Sequence, residues 1–144
     1  MAEPGRHLIL NVDDYEPGRY ARTRLLRSAG FDVLEAATGT ETLDRVVSER
    51  PELVLLDVNL PDVSGYEVCR RLKADPRTAA VPVIQISATF VGDAHRAEGL
   101  EGGADGYLTE PIDPRVLVAS VNALLRLHRA EEALLASARR EERL

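Results

Sequence analysis

Short apolar runs alternate along this chain with segments in which apolar residues recur at helical spacing. The apolar runs occupy residues 7–12, 31–36, 53–57, 80–87 and 106–109, and the helical segments occupy 17–29, 41–49, 65–73, 94–102 and the stretch from Pro114 onward. Such alternation indicates βαβ units, whose strands form a parallel sheet. Because these crossovers are right-handed, helices cover both faces of the sheet. The sequence therefore predicts an α/β fold of (βα)5 type, with a doubly wound parallel five-stranded sheet.

The last helical segment is too long for this domain alone. After Pro114 there is neither glycine nor proline up to the end of the chain, which predicts a helix of about 30 residues against a mean of about 11–12. We expect a globular domain over residues 1–127 and a helical extension over 128–144. A weak heptad pattern through Leu127 and Leu134 leaves three alternatives for the extension: a domain linker, a coiled-coil dimerisation helix or a solvated tail.

Composition excludes several classes of protein. The net charge is −6, with 24 acidic against 18 basic residues, and no basic patch suggests that this segment binds nucleic acid. Cys69 is the single cysteine, so no internal disulfide can form and a reducing compartment is indicated. No apolar run approaches the ~20 residues of a membrane helix, and the start lacks the apolar core of a signal peptide. We therefore expect a cytoplasmic protein without membrane contact.

Acidic side chains follow two of the predicted strands. Asp13 and Asp14 come directly after the first strand, and Asp57 ends the third. The carboxyl ends of parallel strands meet at one edge of a sheet, where ligands of such folds bind. Three carboxylates placed together there could share a divalent cation, and without one they would repel each other. Glu110 follows the fifth strand and belongs to the same edge.

Four motifs, in order and each at a strand end, resemble the receiver domain of the two-component response-regulator family. The resemblance extends from about His7 to Leu127. It implies a flavodoxin-like fold and a place in bacterial signal transduction, in a stand-alone regulator or as the N-terminal part of a longer protein. The motifs are Val12-Asp13-Asp14, the stretch 55–65 around Asp57, Ser87-Ala88, and the stretch 103–108 followed by Pro111.

The resemblance also implies roles for the acidic residues. Asp57 matches the aspartate that accepts a phosphoryl group from a kinase phosphohistidine. Asp14 matches the direct Mg²⁺ ligand, Asp13 the acid that holds the ion mostly through water, and Asn59 the residue whose backbone carbonyl adds a ligand. Mg²⁺ suits such a set because it favours a few carboxylates together with retained waters and phosphate oxygens.

Two further residues match the switching apparatus of the family. Ser87 corresponds to the hydroxyl that hydrogen-bonds a phosphoryl oxygen, and Tyr107 to the aromatic residue that turns inward when the hydroxyl moves. Together they would couple phosphorylation to the surface formed by the fourth helix and the fifth strand, a two-state element of the kind that switching needs. Tyr107 could alternatively be an ordinary aromatic residue of an edge strand.

Glu110 departs from the family pattern. At this position, directly before Pro111, the family carries a lysine that neutralises the phosphoryl charge. At ~6 Å and an effective dielectric of ~20, one pair of unit charges is worth about 3 kcal/mol, so an acid here opposes phosphorylation. Three alternatives follow: the side chain swings outward and phosphorylation persists, phosphorylation is lost and the domain serves for docking, or Glu110 itself binds a cation.

The function that we expect is therefore a phosphoacceptor receiver domain with Mg²⁺, and the alternative is a phosphorylation-independent docking or dimerisation module. An enzyme acting on a separate substrate is not expected. Phosphatases with an aspartyl nucleophile need a second acid two residues further on, where this chain has Asn59, and no phosphate-binding P-loop is present. The implied partners are a histidine kinase or phosphotransfer protein and a second copy, bound through the C-terminal helix or the face of the fourth helix and fifth strand.

Overall fold

The computed structural model describes residues 6–88, 97 and 101–142. Within these residues five parallel strands form one sheet in the order β2-β1-β3-β4-β5, which confirms the predicted α/β fold. The strands are β1 (Leu8–Val12), β2 (Asp32–Ala36), β3 (Leu53–Asp57), β4 (Val83–Ser87) and β5 (Gly106–Thr109). The helices are α1 (Glu16–Ser28), α2 (Gly39–Glu49), α3 (Gly65–Ala74) and a C-terminal helix (Pro114–Glu142). The predicted helix at 94–102 lies outside the described residues, apart from 97, 101 and 102.

Two apolar layers cover the sheet, one on each face. On one face Ile9, Leu55 and Ile84 belong to a buried cluster with residues of α1 and of the C-terminal helix. On the other face Leu10 and Val54 belong to a cluster with residues of α2 and α3. Every residue of β3 and β4 is buried. Burial on both faces explains why β3 reads as a continuous apolar run before Asp57 and not as an alternating pattern.

The start of α2 differs from the sequence prediction. We expected a turn at Gly39-Thr40 and a helix from 41, but α2 begins at Gly39 and Thr38 caps it by accepting a hydrogen bond from the Glu41 N–H at 3.0 Å. The Gly39 and Thr40 N–H groups both donate to the carboxylate of Asp62, at 2.8 and 2.9 Å. Asp62 is distant in the sequence, so a local pattern could not reveal this support.

The long C-terminal helix is confirmed over 29 residues. Its first half buries Leu117, Val121 and Leu125 against the sheet. Further along, Arg129 Nη2 lies 3.2 Å from His7 Nδ1, whereas Leu134 is 72% exposed. The division between a domain at 1–127 and an extension at 128–144 stays a prediction. None of the helices among the described residues is both long and apolar enough to span a membrane.

Candidate functional site

Three carboxylates come together at the carboxyl edge of the sheet. Asp13 and Asp14 follow the last residue of β1, and Asp57 is the last residue of the adjacent strand β3. One oxygen from each of the three lies within 4.8 Å of the others. Asp13 is 5% exposed and Asp57 is 9% exposed, whereas Asp14 is exposed. The convergence predicted from the strand ends is therefore observed.

Backbone N–H groups fix the orientation of the two buried carboxylates. The Tyr15 N–H donates to Asp13 Oδ1 at 2.9 Å, and the Asn59 N–H donates to Asp57 Oδ1 at 2.8 Å. Each bond spans two residues, so the loop after each strand supplies the donor for the acid that precedes it. The carboxylates are thereby held in place before any ligand arrives.

The loop from β3 to α3 passes very close to Asp57. The Gly65 N–H donates to the Val58 carbonyl at 2.9 Å. A Cβ atom on Gly65 would lie only 2.2 Å from the backbone oxygen of Asp57, so this position requires glycine. The Ser64 hydroxyl then caps α3 by accepting from the Glu67 N–H at 3.2 Å, in a Ser-x-x-Glu arrangement that is typical of helix starts.

Of the three carboxyl groups in this cluster, that of Asp57 has a raised pKa. Burial of its carboxyl group, together with the neighbouring charges of Asp13 and Glu110, raises its pKa from 3.8 to about 7. The hydrogen bond from the Asn59 N–H acts in the opposite direction and lowers the pKa. A carboxyl group with this pKa favours its neutral form unless a cation compensates the nearby negative charge. The pocket is therefore suited to a divalent cation.

Two hydroxyl groups lie beside the acidic pocket on neighbouring strands. Ser87 ends β4 and is paired in register with Thr109, the last residue of β5. The side-chain oxygens of both residues are buried, and neither has a hydrogen-bond partner among the described residues. Buried hydroxyl groups are normally hydrogen-bonded, so an oxygen-rich ligand at this edge would supply the acceptor that these two groups lack among the described residues. Ser87 was predicted for the site, whereas Thr109 was not.

Tyr107 is half-buried on β5 and contacts α3. Its hydroxyl lies 2.9 Å from the hydroxyl of Tyr66, and either group can donate. Tyr66 directly follows Gly65, so this contact joins the predicted switch residue to the loop that leaves Asp57. The sequence identified Tyr107 but gave no indication of Tyr66.

Glu110 lies beside an arginine that the sequence analysis did not identify. Its carboxylate, with a side chain 46% exposed, is 3.8 Å from Arg22 Nη2. The same Nη2 is 3.6 Å from Asp13 Oδ2, and Arg22 Nη1 donates to Asn11 Oδ1 at 3.2 Å. Glu110 thus remains at the pocket and next to a positive charge. Its peptide bond to Pro111 is cis.

The fold and the pocket agree with a match to known proteins. A family model described as the response regulator receiver domain matches residues 9–122. The chain belongs to this family. It is 43% identical over 118 residues to the phosphate regulon transcriptional regulatory protein PhoB of Pseudomonas aeruginosa, covering 82% of this chain and 51% of that protein. It is 40% identical over 118 residues to the response regulator PleD of Caulobacter vibrioides, covering 82% of this chain and 26% of that protein.

Solved receiver domains share the architecture. A receiver domain protein from Methanospirillum hungatei aligns with a TM-score of 0.80 and 28% identity, covering 88% of this chain and 99% of that one. The receiver domain of a histidine kinase from Syntrophus aciditrophicus aligns with a TM-score of 0.78 and 30% identity, covering 83% and 90%. The chain spans about half the length, or less, of the curated relatives named above.

Proposed function

We propose that Asp57 accepts a phosphoryl group in a reaction that depends on Mg²⁺. The observation that carries this proposal is the cluster at the sheet edge, in which oxygens of Asp13, Asp14 and Asp57 lie within 4.8 Å of one another. Receiver domains generally bind Mg²⁺ at such an acidic pocket, and carboxylate oxygens are the protein ligands that this ion prefers. When bound, the ion supplies positive charge against the acids and the phosphoryl oxygens. Asp13, Asp14, Asp57 and the Asn59 carbonyl would hold it.

In the proposed reaction a carboxylate oxygen of Asp57 attacks the phosphorus of a phosphohistidine. An O–P bond forms, the P–N bond breaks, and its electron pair passes to the imidazole nitrogen. The Asn59 N–H, 2.8 Å from Asp57 Oδ1, holds the attacking group in place. The Ser87 hydroxyl, buried and without a partner among the described residues, would donate to a phosphoryl oxygen. The protein is its own acceptor, so it turns over no separate substrate.

Receiver domains interact with histidine kinases or phosphotransfer proteins, and we infer a donor of this kind for the chain. The C-terminal helix would connect the receiver to an output domain or pair with a second copy. The exposed leucines at 127, 134 and 135 support an apolar contact along this helix. Such side chains on an otherwise polar helix favour a partner.

Changing Asp57 to Asn is expected to abolish phosphorylation of the protein. Asparagine keeps the size of the side chain but lacks the nucleophilic carboxylate. Intact-protein mass spectrometry after incubation with Mg²⁺ and acetyl phosphate measures the adduct. The matched control is Asp44→Asn on the exposed side of α2, which should be labelled like the wild type.

Two other results would contradict the proposal. An adduct that survives in Asp57→Asn would place the acceptor elsewhere. A wild type that takes no phosphoryl group would instead support the second candidate function, a phosphorylation-independent docking module, which the acid at position 110 favours because it opposes added negative charge.

Changing Tyr66 to Phe is expected to alter Tyr107, the proposed switch residue. The change removes one hydroxyl of the 2.9 Å contact and should lower the free energy of unfolding by about 1 kcal/mol. Tyrosine-labelled NMR spectra should then show shifted or broadened Tyr107 resonances. Tyr20→Phe is the control, since Tyr20 is 59% exposed. Unchanged Tyr107 resonances in Tyr66→Phe would show that this contact does not orient the ring.

A further inference from the structure

Arg22 is a buried arginine at the edge of the acidic pocket. It projects from α1 toward the sheet, and its side chain is only 9% exposed. Arginine is almost never fully buried unless it is paired. Here the guanidinium lies 3.6 Å from Asp13 Oδ2 and 3.8 Å from Glu110 Oε1, so one cation is shared between two of the acids that border Asp57.

Asn11 holds this guanidinium in place. The residue is fully buried on β1, and its Nδ2 donates to the Arg19 carbonyl at 2.9 Å and to Thr23 Oγ1 at 3.0 Å. These two bonds fix the amide so that its Oδ1 accepts from Arg22 Nη1 at 3.2 Å. The position of the charge is therefore determined by α1 and β1 and does not depend on a bound ligand.

We propose that Arg22 is a positioning residue that supplies the positive charge which the family's lysine supplies at position 110. This inference rests on the proposed phosphoacceptor function. A lysine at 110 places one ammonium beside the phosphoryl group, whereas this chain places an acid there and a guanidinium 3.8 Å away from it. The Arg22 guanidinium offsets the negative charges of Glu110 and Asp13, with which it forms ion pairs. Added negative charge on Asp57 is therefore less strongly opposed.

Changing Arg22 to Gln should move the Mg²⁺ affinity and the rate of phosphorylation in opposite directions. Loss of a nearby positive charge should strengthen binding of Mg²⁺ to the unphosphorylated protein, because like charges repel. The same loss should slow phosphorylation at saturating Mg²⁺ by about tenfold, because the added phosphoryl charge is less well compensated. A variant that is merely damaged in its fold would lose both.

The test uses a four-member cycle of the full chain: wild type, Arg22→Gln, Glu110→Gln and the double variant. Mg²⁺ affinity is measured by calorimetry, and the rate of labelling by acetyl phosphate is measured by mass spectrometry. We expect slower labelling in Arg22→Gln, faster labelling in Glu110→Gln, and a rate near the wild-type value in the double variant. Arg24→Gln is the matched control, since it removes the same charge from the exposed side of α1 and should change neither readout.

Three results would overturn the inference. Arg22→Gln could be labelled at the wild-type rate, its Mg²⁺ affinity and labelling rate could both fall, or the double variant could be labelled as slowly as Arg22→Gln. If Arg22→Gln does not fold, Arg22→Lys and Arg22→Met replace it in the test. Arg22→Lys keeps the positive charge and should be labelled faster than Arg22→Met, or than another neutral variant at position 22 that folds. If the wild type itself is not labelled, the proposed function fails. The Mg²⁺ titrations then still decide whether Arg22 acts on the pocket by its charge.

Discussion

Replacing Gly65 by alanine is expected to destabilise the receiver domain by about 3 kcal/mol or more. A Cβ atom at this position would lie 2.2 Å from the backbone oxygen of Asp57 and 2.6 Å from Cα of Val58. Both are main-chain atoms at the end of a central strand, so neither can rotate away as a flexible side chain would. The start of α3 cannot move easily either, because Gln85 Nε2 donates to the Gly65 carbonyl at 3.1 Å within the core.

Urea unfolding measures this loss, and Gly18→Ala provides a matched control. Gly18 also lies in the first turn of a helix, but the nearest atom to its Cβ would be Tyr15 Cδ2 at 3.1 Å, on a side chain that is 66% exposed and free to move. Alanine favours a helix over glycine by up to about 1 kcal/mol, so this control should be as stable as the wild type or more so. Equal losses in the two variants would mean that the loop after β3 can move away from the added methyl group.

The strands and the acidic cluster could be predicted from the sequence because their signals are local. The first four residues of β3 are apolar and the fifth is Asp57, and burial on both faces of a parallel sheet favours such a run. The position of Asp13 and Asp14 beside Asp57 then follows from topology, since the carboxyl ends of β1 and β3 are neighbours. No knowledge of side-chain contacts is needed for that step.

The surroundings of Glu110 could not be predicted in the same way. Its neighbour Arg22 lies on α1, and no local pattern links the two positions. One signal was present: Arg22 precedes the buried Leu26 by four residues, which places both on the same face of the helix. An arginine on the face that packs against the sheet indicates a buried anionic partner. The start of α2 was mispredicted for a similar reason, since Asp62 supports it from a distant loop.

Without divalent cations, the receiver domain should become less stable as the pH rises toward 8. Burial of the Asp57 carboxyl raises its pKa from 3.8 to about 7, with the charges of Asp13 and Glu110 acting in the same direction. Between about pH 4 and pH 7 the folded protein therefore keeps a proton that the unfolded chain has released, and the free energy of unfolding falls as the pH rises. One pKa unit is worth about 1.4 kcal/mol, so the total fall approaches about 4 kcal/mol.

Among the described residues, four other carboxyls have a shifted pKa, and all four shifts act outside this window. The side chains of Arg77 and Arg115 donate hydrogen bonds to Asp75 and Asp113 and lower the pKa of each below its usual 3.8. The pKa values of Asp62 and Glu35 are likewise lowered. Their contribution to stability is present above about pH 4 and is lost only as the pH falls further. A comparison between pH 5 and pH 8 therefore reports mainly on Asp57.

Asp57→Asn should remove this pH dependence, because asparagine does not titrate. In urea unfolding with EDTA we expect the free energy of unfolding of the variant, relative to that of the wild type, to rise by about 3 kcal/mol between pH 5 and pH 8. Asp44→Asn on the surface of α2 should follow the wild-type curve. Adding Mg²⁺ at pH 8 should stabilise the wild type far more than Asp57→Asn, since a cation favours the charged form of the buried carboxyl. Parallel curves for the wild type and Asp57→Asn from pH 5 to pH 8 would mean that the pocket does not hold Asp57 protonated, and that its acids are compensated without a metal ion.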